Sequence, residues 1–269
     1  MLVLGIESAT PVASVALADE QGLLGEVTLN VGLTHSEQLL PMIDKLLGQC
    51  RREVRELTAV GISSGPGSFT GLRIGMATAK ALVQGVSAIK GEGLIPLVEI
   101  PTLEAMAWLL REQSVAVSPT LNARRGQIYA ALYSWRRADK ACDPADTGSP
   151  QRQRGKKERM PAGVGDRRWS IDCLIPPAAA TPEAWALRIN EHCPKACRMH
   201  MMGEGAALYR EVWERDITAD LCIVPEINGL CRGGYVALAT VEKLYSQAAA
   251  DPVQPMDYYG MKPLYLRGV

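Results

Sequence analysis

The stretch Gly65-Pro66-Gly67-Ser68-Phe69-Thr70-Gly71 lies between an apolar run and a helical pattern. Glycines let a backbone approach a ligand closely. A helix start behind them supplies free N–H groups and the positive end of a dipole, the common setting for a phosphate. Its finer spacing matches neither familiar nucleotide loop. A Walker loop needs Lys and Ser/Thr after its last glycine, but Gly71 is followed by Leu72 and Arg73; a dinucleotide loop needs a third glycine where Thr70 stands. On spacing alone, a phosphate loop and a tight strand-to-helix turn are both open.

A second candidate follows the first apolar run. Glu7-Ser8-Ala9-Thr10 resembles the acid-x-small-Thr turn with which actin-like phosphotransferases hold phosphates and a magnesium ion, a role suited to a hard carboxylate ligand. The matching place later in the chain holds Asn122-Ala123-Arg124-Arg125, where a neutral amide replaces the acid. The plainer alternative is a pair of hairpin turns whose small polar side chains bond their own backbone. Soft metal ligands cluster at His192, Cys193, Cys197 and His200, without the second ligand pair at zinc-site distance. Ser68 lacks the second glycine of a hydrolase elbow, and the chain has only three histidines. Metal and hydrolase chemistry are poorly supported.

These residues must be positioned by regular elements. Residues 2–6, 12–18 and 23–29 read as an antiparallel meander. Thr34 and Glu37 have capping-box spacing before a helix at 35–47, in which Pro41 predicts a kink or a displaced start. A strand at 58–63 leads through the glycine turn into a helix from about Thr70 to Gln84. Strands are expected at 94–98 and 115–121, with a helix at 103–112 between them. Val115 to Trp135 repeats the opening strand-turn-strand logic, which predicts a duplicated unit. Later expectations are a strand at 198–202, helices at 204–212 and 234–249, and an extended tail at 261–267. Residues 137–168 turn to Asp, Gly, Pro, Gln, Arg and Lys, and read as an insertion.

Two helices carry more apolar surface than one sheet face covers. In the segment 71–84, Arg73, Lys80 and Gln84 share a narrow polar sector while Leu72, Ile74, Met76, Leu82 and Val83 fill the remainder. In 35–47, Met42, Leu39, Ile43 and Leu40 span roughly 160°, wider than the stripe of about 100° that one sheet face requires. Mutual cover and a protein–protein interface both account for this. Lys+Arg 29 balances Asp+Glu 29, so no chain-wide basic field draws nucleic acid. Arg152, Arg154, Lys156, Lys157 and Arg159 form one local basic run, whose plainer reading is a solvated loop. The seven cysteines are odd in number and scattered, which fits reduced thiols. The N-terminus has no charged leader, and no apolar run reaches membrane-spanning length; a cytoplasmic protein is expected.

Several blocks then coincide with a known family. Ile6 to Thr10 with Ala13 to Leu17, His35 with Leu39-Leu40-Pro41-Met42, Gly65 to Gly75, Ala123-Arg124 with Gly126 to Tyr129, and Pro263 to Arg267 together resemble the bacterial TsaB family, also called YeaZ. The resemblance implies an α/β actin/hexokinase-like (ASKHA) fold of two duplicated lobes, 1–113 and 114–233. The helix near 234–249 would complete the first lobe, and 250–269 would form the tail. It implies a non-catalytic subunit in the making of tRNA N6-threonylcarbamoyladenosine, partnered by the catalytic TsaD and the ATPase TsaE. Contact with tRNA would be indirect and a homodimer would use the same helices. No cofactor, metal or catalytic residue is expected; Glu7, Ser8, Thr10 and Asn122 would be vestigial phosphate-loop positions. The partner surface is expected at His35, Leu39, Met42, Leu46, Arg73, Met76 and Lys80. The competing reading is a phosphotransferase or nucleotide-binding protein of the same fold.

Overall fold

The computed structural model describes residues 1–30, 35–91, 93–113, 115–137, 169–194, 197–250 and 261–266. The first half runs β1 (Leu2–Glu7), β2 (Ala13–Asp19), β3 (Gly22–Leu29), α1 (His35–Gln49), β4 (Ala59–Ser63), α2 (Phe69–Lys90), β5 (Leu97–Ile100) and α3 (Thr102–Ala107). The second runs β6 (Val115–Arg124), β7 (Gln127–Arg137), β8 (Trp169–Ala180), α4 (Pro182–His192), β9 (Arg198–Met202), α5 (Glu204–Leu208), α6 (Arg210–Asp216), β10 (Leu221–Ile223) and α7 (Gly233–Ala250). The sheets have orders β3-β2-β1-β4-β5 and β8-β7-β6-β9-β10. In each, the first three strands are antiparallel and the later two join in parallel. One topology is therefore used twice, and it is the actin/hexokinase-like fold.

Local chemistry explains the element ends. Asp19 Oδ1 accepts hydrogen bonds from the N–H of Gln21 (2.7 Å) and Gly22 (3.2 Å), closing the β2–β3 hairpin. The Ser68 side chain caps α2 by accepting from Gly71 N, and Gly91 ends that helix at φ 67°. Thr181 caps α4 in the same manner, with Pro182 at the first helical position.

The first sheet is covered on both faces. Leu4, Ile6, Val15 and Leu17 meet Leu39, Met42, Ile43 and Leu46 of α1 and Met76, Ala79 and Val83 of α2. On the other face, Val3, Ala16, Ala18 and Ala59 meet Ala237 and Val241 of α7. The side-chain alternation of a strand sorts β1 between the two layers. Small residues on the second face let α7 lie close, and a Cβ on Gly5 would overlap the Gly233 carbonyl. In the second sheet, α4 and α6 cover one face through Trp185, Ile189 and Trp213. Leu103 and Met106 of α3 cover the other, beside Val236 and Ala239 of α7.

Several boundaries differ from expectation. Helix α1 continues through Pro41 to Gln49. The 94–98 strand is displaced to Leu97–Ile100, and the 103–112 helix gives way to a 3-10 turn at Trp108–Leu110. Tyr209 divides the 204–212 segment into α5 and α6. Strands β8 and β10 and helix α4 had no counterpart in the sequence reading. Arg137 ends β7; Thr34, residues 138–168 with their basic run, residues 251–260 and Arg267 lie outside the described residues.

Two glycines of α2 should respond oppositely to the same change. A Cβ on Gly71 would overlap the Ser8 carbonyl oxygen, whereas at Gly85 it meets nothing within 4 Å. Urea denaturation should show Gly71→Ala destabilised by ~1–3 kcal/mol. Gly85→Ala should be stabilised by roughly 0.5–1 kcal/mol, as expected for a helix-interior glycine.

Candidate functional site

The turn after β1 is folded around a carboxylate. Glu7 is fully buried. Its Oε1 accepts from the N–H of Ala9 (2.8 Å) and Thr10 (3.1 Å), and its Oε2 accepts from the Cys231 thiol at 3.1 Å. The Ser63 hydroxyl adds a further donor. Burial pushes the Glu7 carboxyl above its ordinary range against the pull of these donors. Burial first, and the Glu7 charge second, push the Cys231 thiol far upward, so the proton stays on sulfur.

Of the four positions expected as a vestigial phosphate loop, Thr10 and Asn122 line the interlobe cleft. Glu7 and Ser8 do not line the cleft as a phosphate loop would require; both side chains are enclosed. The Glu7 carboxylate instead satisfies its own backbone. Asn122 behaves alike, its Oδ1 accepting from Arg124 N at 2.8 Å. The self-bonded turn is thus what both ends present, as the plainer sequence reading had it.

Both N-lobe helices are seated on this turn. His35, in the first turn of α1, places Nε2 2.8 Å from the Thr10 carbonyl; a carbonyl only accepts, so Nε2 carries the proton. Ser68 N donates to the Ala9 carbonyl at 2.6 Å. A Cβ on Gly67 would strike Ala9, and one on Gly75 would strike the Ser8 hydroxyl. The repeated glycines therefore serve close packing of α2 onto the turn. Beyond them, Leu264 N donates to the Ser64 carbonyl at 2.7 Å, Lys80 Nζ donates to the Met261 carbonyl at 3.0 Å, and the Phe69 and Tyr265 rings lie 5.0 Å apart. The Arg73 guanidinium stacks on Phe69 from outside.

Between the lobes lies a cleft of about 600 Å³. The first lobe contributes Thr10, His35, Ser68 and Thr70, and the second contributes Asn122, Arg124, Tyr129 and Glu204. It offers hydroxyls, an amide, a guanidinium and the starts of α1 and α2, a surface suited to hydrogen bonding an anion. His35 Nδ1 is buried there without a partner. The soft-ligand cluster is dispersed: His192 is exposed, His200 is buried in β9, and burial pushes the Cys193 thiol up to about 11. Among the described residues no group of three His, Cys, Asp or Glu could hold a metal ion.

The expected partner residues divide. Leu39, Met42, Leu46 and Met76 are at most 5% exposed and pack in the chain's own core, so they cannot be an open docking face. The ring of His35 is held by Thr10. Arg73 remains exposed, and Lys80 is half-buried against the tail. What α2 presents outward is Thr70, Arg73, Ala77, Ala81, Gln84, Gly85, Ala88 and Ile89, with Leu40 of α1 also exposed. Cys231 and the tail contacts were missed; no local spacing signals a partner more than 200 residues away, as Cys231 is from Glu7.

Because its folded pKa is raised, Glu7 holds its proton more tightly in the folded than in the unfolded chain. Its contribution is full below the ordinary value of 4.5 and is lost as pH rises through the folded value. Urea denaturation across pH should show this descending component in the wild type and its loss in Glu7→Gln, which keeps an acceptor for Ala9 and Thr10. Glu7→Ala should cost ~2–4 kcal/mol, through unpaired N–H groups and a cavity.

No helix of the described residues is long and apolar enough to cross a membrane. Residues 22–226 match the family model described as TsaD, tRNA N6-adenosine threonylcarbamoyltransferase. The chain is 31% identical over 136 residues to the tRNA threonylcarbamoyladenosine biosynthesis protein TsaB of Bacillus subtilis, covering 51% of this chain and 56% of that protein. The Escherichia coli protein of the same name is 32% identical over 139 residues, with 49% and 55% covered. The chain thus spans about half the length of the curated relatives it matches. In fold it is similar to YeaZ from Pseudomonas aeruginosa, with TM-score 0.67, 20% identity, and 98% and 99% of the two chains covered. The duplicated lobes, the glycine-packed turn and these matches lead to one conclusion: the chain belongs to the tRNA N6-adenosine threonylcarbamoyltransferase family, within its TsaB (YeaZ) group.

Proposed function

We propose that this chain is a non-catalytic, cytoplasmic subunit of the assembly that makes tRNA N6-threonylcarbamoyladenosine, and that it binds and activates the catalytic subunit TsaD. The observation that carries this reading is the inward turn of Glu7, together with membership of the TsaB group. A phosphotransferase of this fold needs a carboxylate facing its cleft. Here that position is enclosed with Cys231, and its counterpart is the amide Asn122.

The docking surface in this reading is the outward row of α2, with Leu40 of α1 beside it. Ala77, Ala81, Gly85 and Ala88 let a partner helix approach closely, and Arg73 gives the row a cationic end. A second copy of the chain would compete for the same row. TsaE joins the assembly through TsaD, and tRNA is reached only through the complex.

Ala77→Glu with Ala81→Glu should abolish co-purification with TsaD while leaving the melting temperature within a few degrees, since both sites are exposed. Met76→Glu should instead unfold the lobe, because it buries a charge in the core. Reconstituted threonylcarbamoyl transfer should require the wild-type chain and fail with the double variant. Transfer that proceeds without the chain would overturn the reading, as would tight magnesium-dependent ATP binding measured by calorimetry on the isolated protein.

A further inference from the structure

The exposed positions of α2 hold one charged side chain. Lys80 and Lys90 are half-buried and donate to the Met261 and Leu57 carbonyls, whereas Arg73 is exposed and its neighbours along the outward row are alanines, a glycine, Gln84 and Ile89. No carboxylate of the described residues pairs with it.

The Arg73 guanidinium is nevertheless held in place. Phe69, one helical turn earlier, carries it at 3.9 Å from the ring centre, and the Phe69 ring in turn meets Tyr265 of the tail, with ring centres 5.0 Å apart. Two hydrogen bonds pin the tail there: Leu264 N donates to the Ser64 carbonyl at 2.7 Å, and Lys80 Nζ to the Met261 carbonyl at 3.0 Å. Stacking uses the face of a guanidinium and leaves the N–H groups at its edge able to donate. An arginine fixed in this way loses less side-chain freedom when a partner binds than one waving in solvent.

Two stacked arginines elsewhere in the chain show the completed arrangement. Arg111, over the Trp108 ring, donates to Glu242 at 2.6 Å, and Arg232, beside Tyr235, donates to Glu26 at 2.7 and 2.9 Å. Arg188 over Trp185 lacks a carboxylate as well, but it is half-buried on α4 of the other lobe.

We propose, resting on TsaD docking along this row, that the tail sets Arg73 to receive an Asp or Glu side chain of the docking helix, with Tyr265 as a positioning residue. A forked pair between guanidinium and carboxylate fixes the partner's register, while the small residues beyond it supply only close approach. A protein carboxylate suits the site better than an RNA backbone. Nucleic acid is held by several cations along its length, and here one cation is followed by small and apolar residues.

Calorimetry of the full chain with TsaD at low and high salt gives the test. Arg73→Gln should weaken binding at least roughly tenfold, about the worth of a hydrogen bond to a charged group, and flatten the salt dependence. Tyr265→Ala should weaken binding roughly threefold or more, the ordering entropy of one side chain, and Tyr265→Phe, which keeps the ring, should bind as the wild type does. In the Arg73→Gln chain, Tyr265→Ala should cost nothing further, because the tail acts through Arg73. Both positions are exposed, so thermal melts should stay within a few degrees of wild type and separate lost binding from lost fold. Three results would each overturn the proposal while the wild-type chain still binds TsaD: Arg73→Gln binding as tightly as wild type, equal losses from Tyr265→Ala in both backgrounds, or capture of tRNA by the isolated chain that disappears in Arg73→Gln. A wild-type chain that does not bind TsaD would overturn the docking reading and this one with it.

Discussion

The molecule is organised around one buried carboxylate and the three-residue turn it holds. Glu7 fixes Ala9 and Thr10 from below, Cys231 reaches it from just ahead of α7, and the carbonyls of the turn receive His35 and Ser68 from above. Two helix starts and one helix approach are thereby referred to a common point. A carboxyl group is costly to bury, and this one is tolerated because four donors surround it. Displacing the turn would shift α1 and α2 together, since the glycines of α2 leave no slack against it.

Duplication makes the asymmetry between the lobes informative. The same strand order brings Glu7 and Asn122 to corresponding ends, and each caps an N–H two residues on. What separates them is company. Glu7 gains Cys231 and Ser63 and is enclosed, whereas Asn122 stays at the cleft wall beside Arg124. The cleft keeps the shape of a ligand site, while the acidic group that would do chemistry there is committed to the fold.

Much of this was legible in the residues. The meander, α1, β4, α2 and the repeat beginning at Val115 follow from hydrophobic period and turn chemistry. The GPGSFTGLRIG block was visible as a strand-to-helix turn, but its glycines could be sorted between ligand approach and helix packing only once Ser8 and Ala9 were found beneath them. The width of the apolar arcs on both helices was correct; its division between core and surface was not. Met42 and Met76 point into the sheet because the i, i+3, i+4 stripes that contain them are the ones that meet β2, for α1, and β4, for α2. Strand β8 was missed because Pro176, Pro177 and a run of alanines give weak strand propensity, and pairing along β7 overrides it.

The seating of α7 on β1 and β2 has a temporal side. Val3, Ala16, Ala18 and Ala59 are made early, yet the helix that shields them begins at Gly233. At a synthesis rate of ~5–20 residues per second, that apolar layer waits on the order of ten seconds or more for its cover. The nascent chain must pass this interval either with the layer collapsed on itself or in the keeping of a chaperone. Biogenesis, rather than the finished fold, is where this architecture is most exposed.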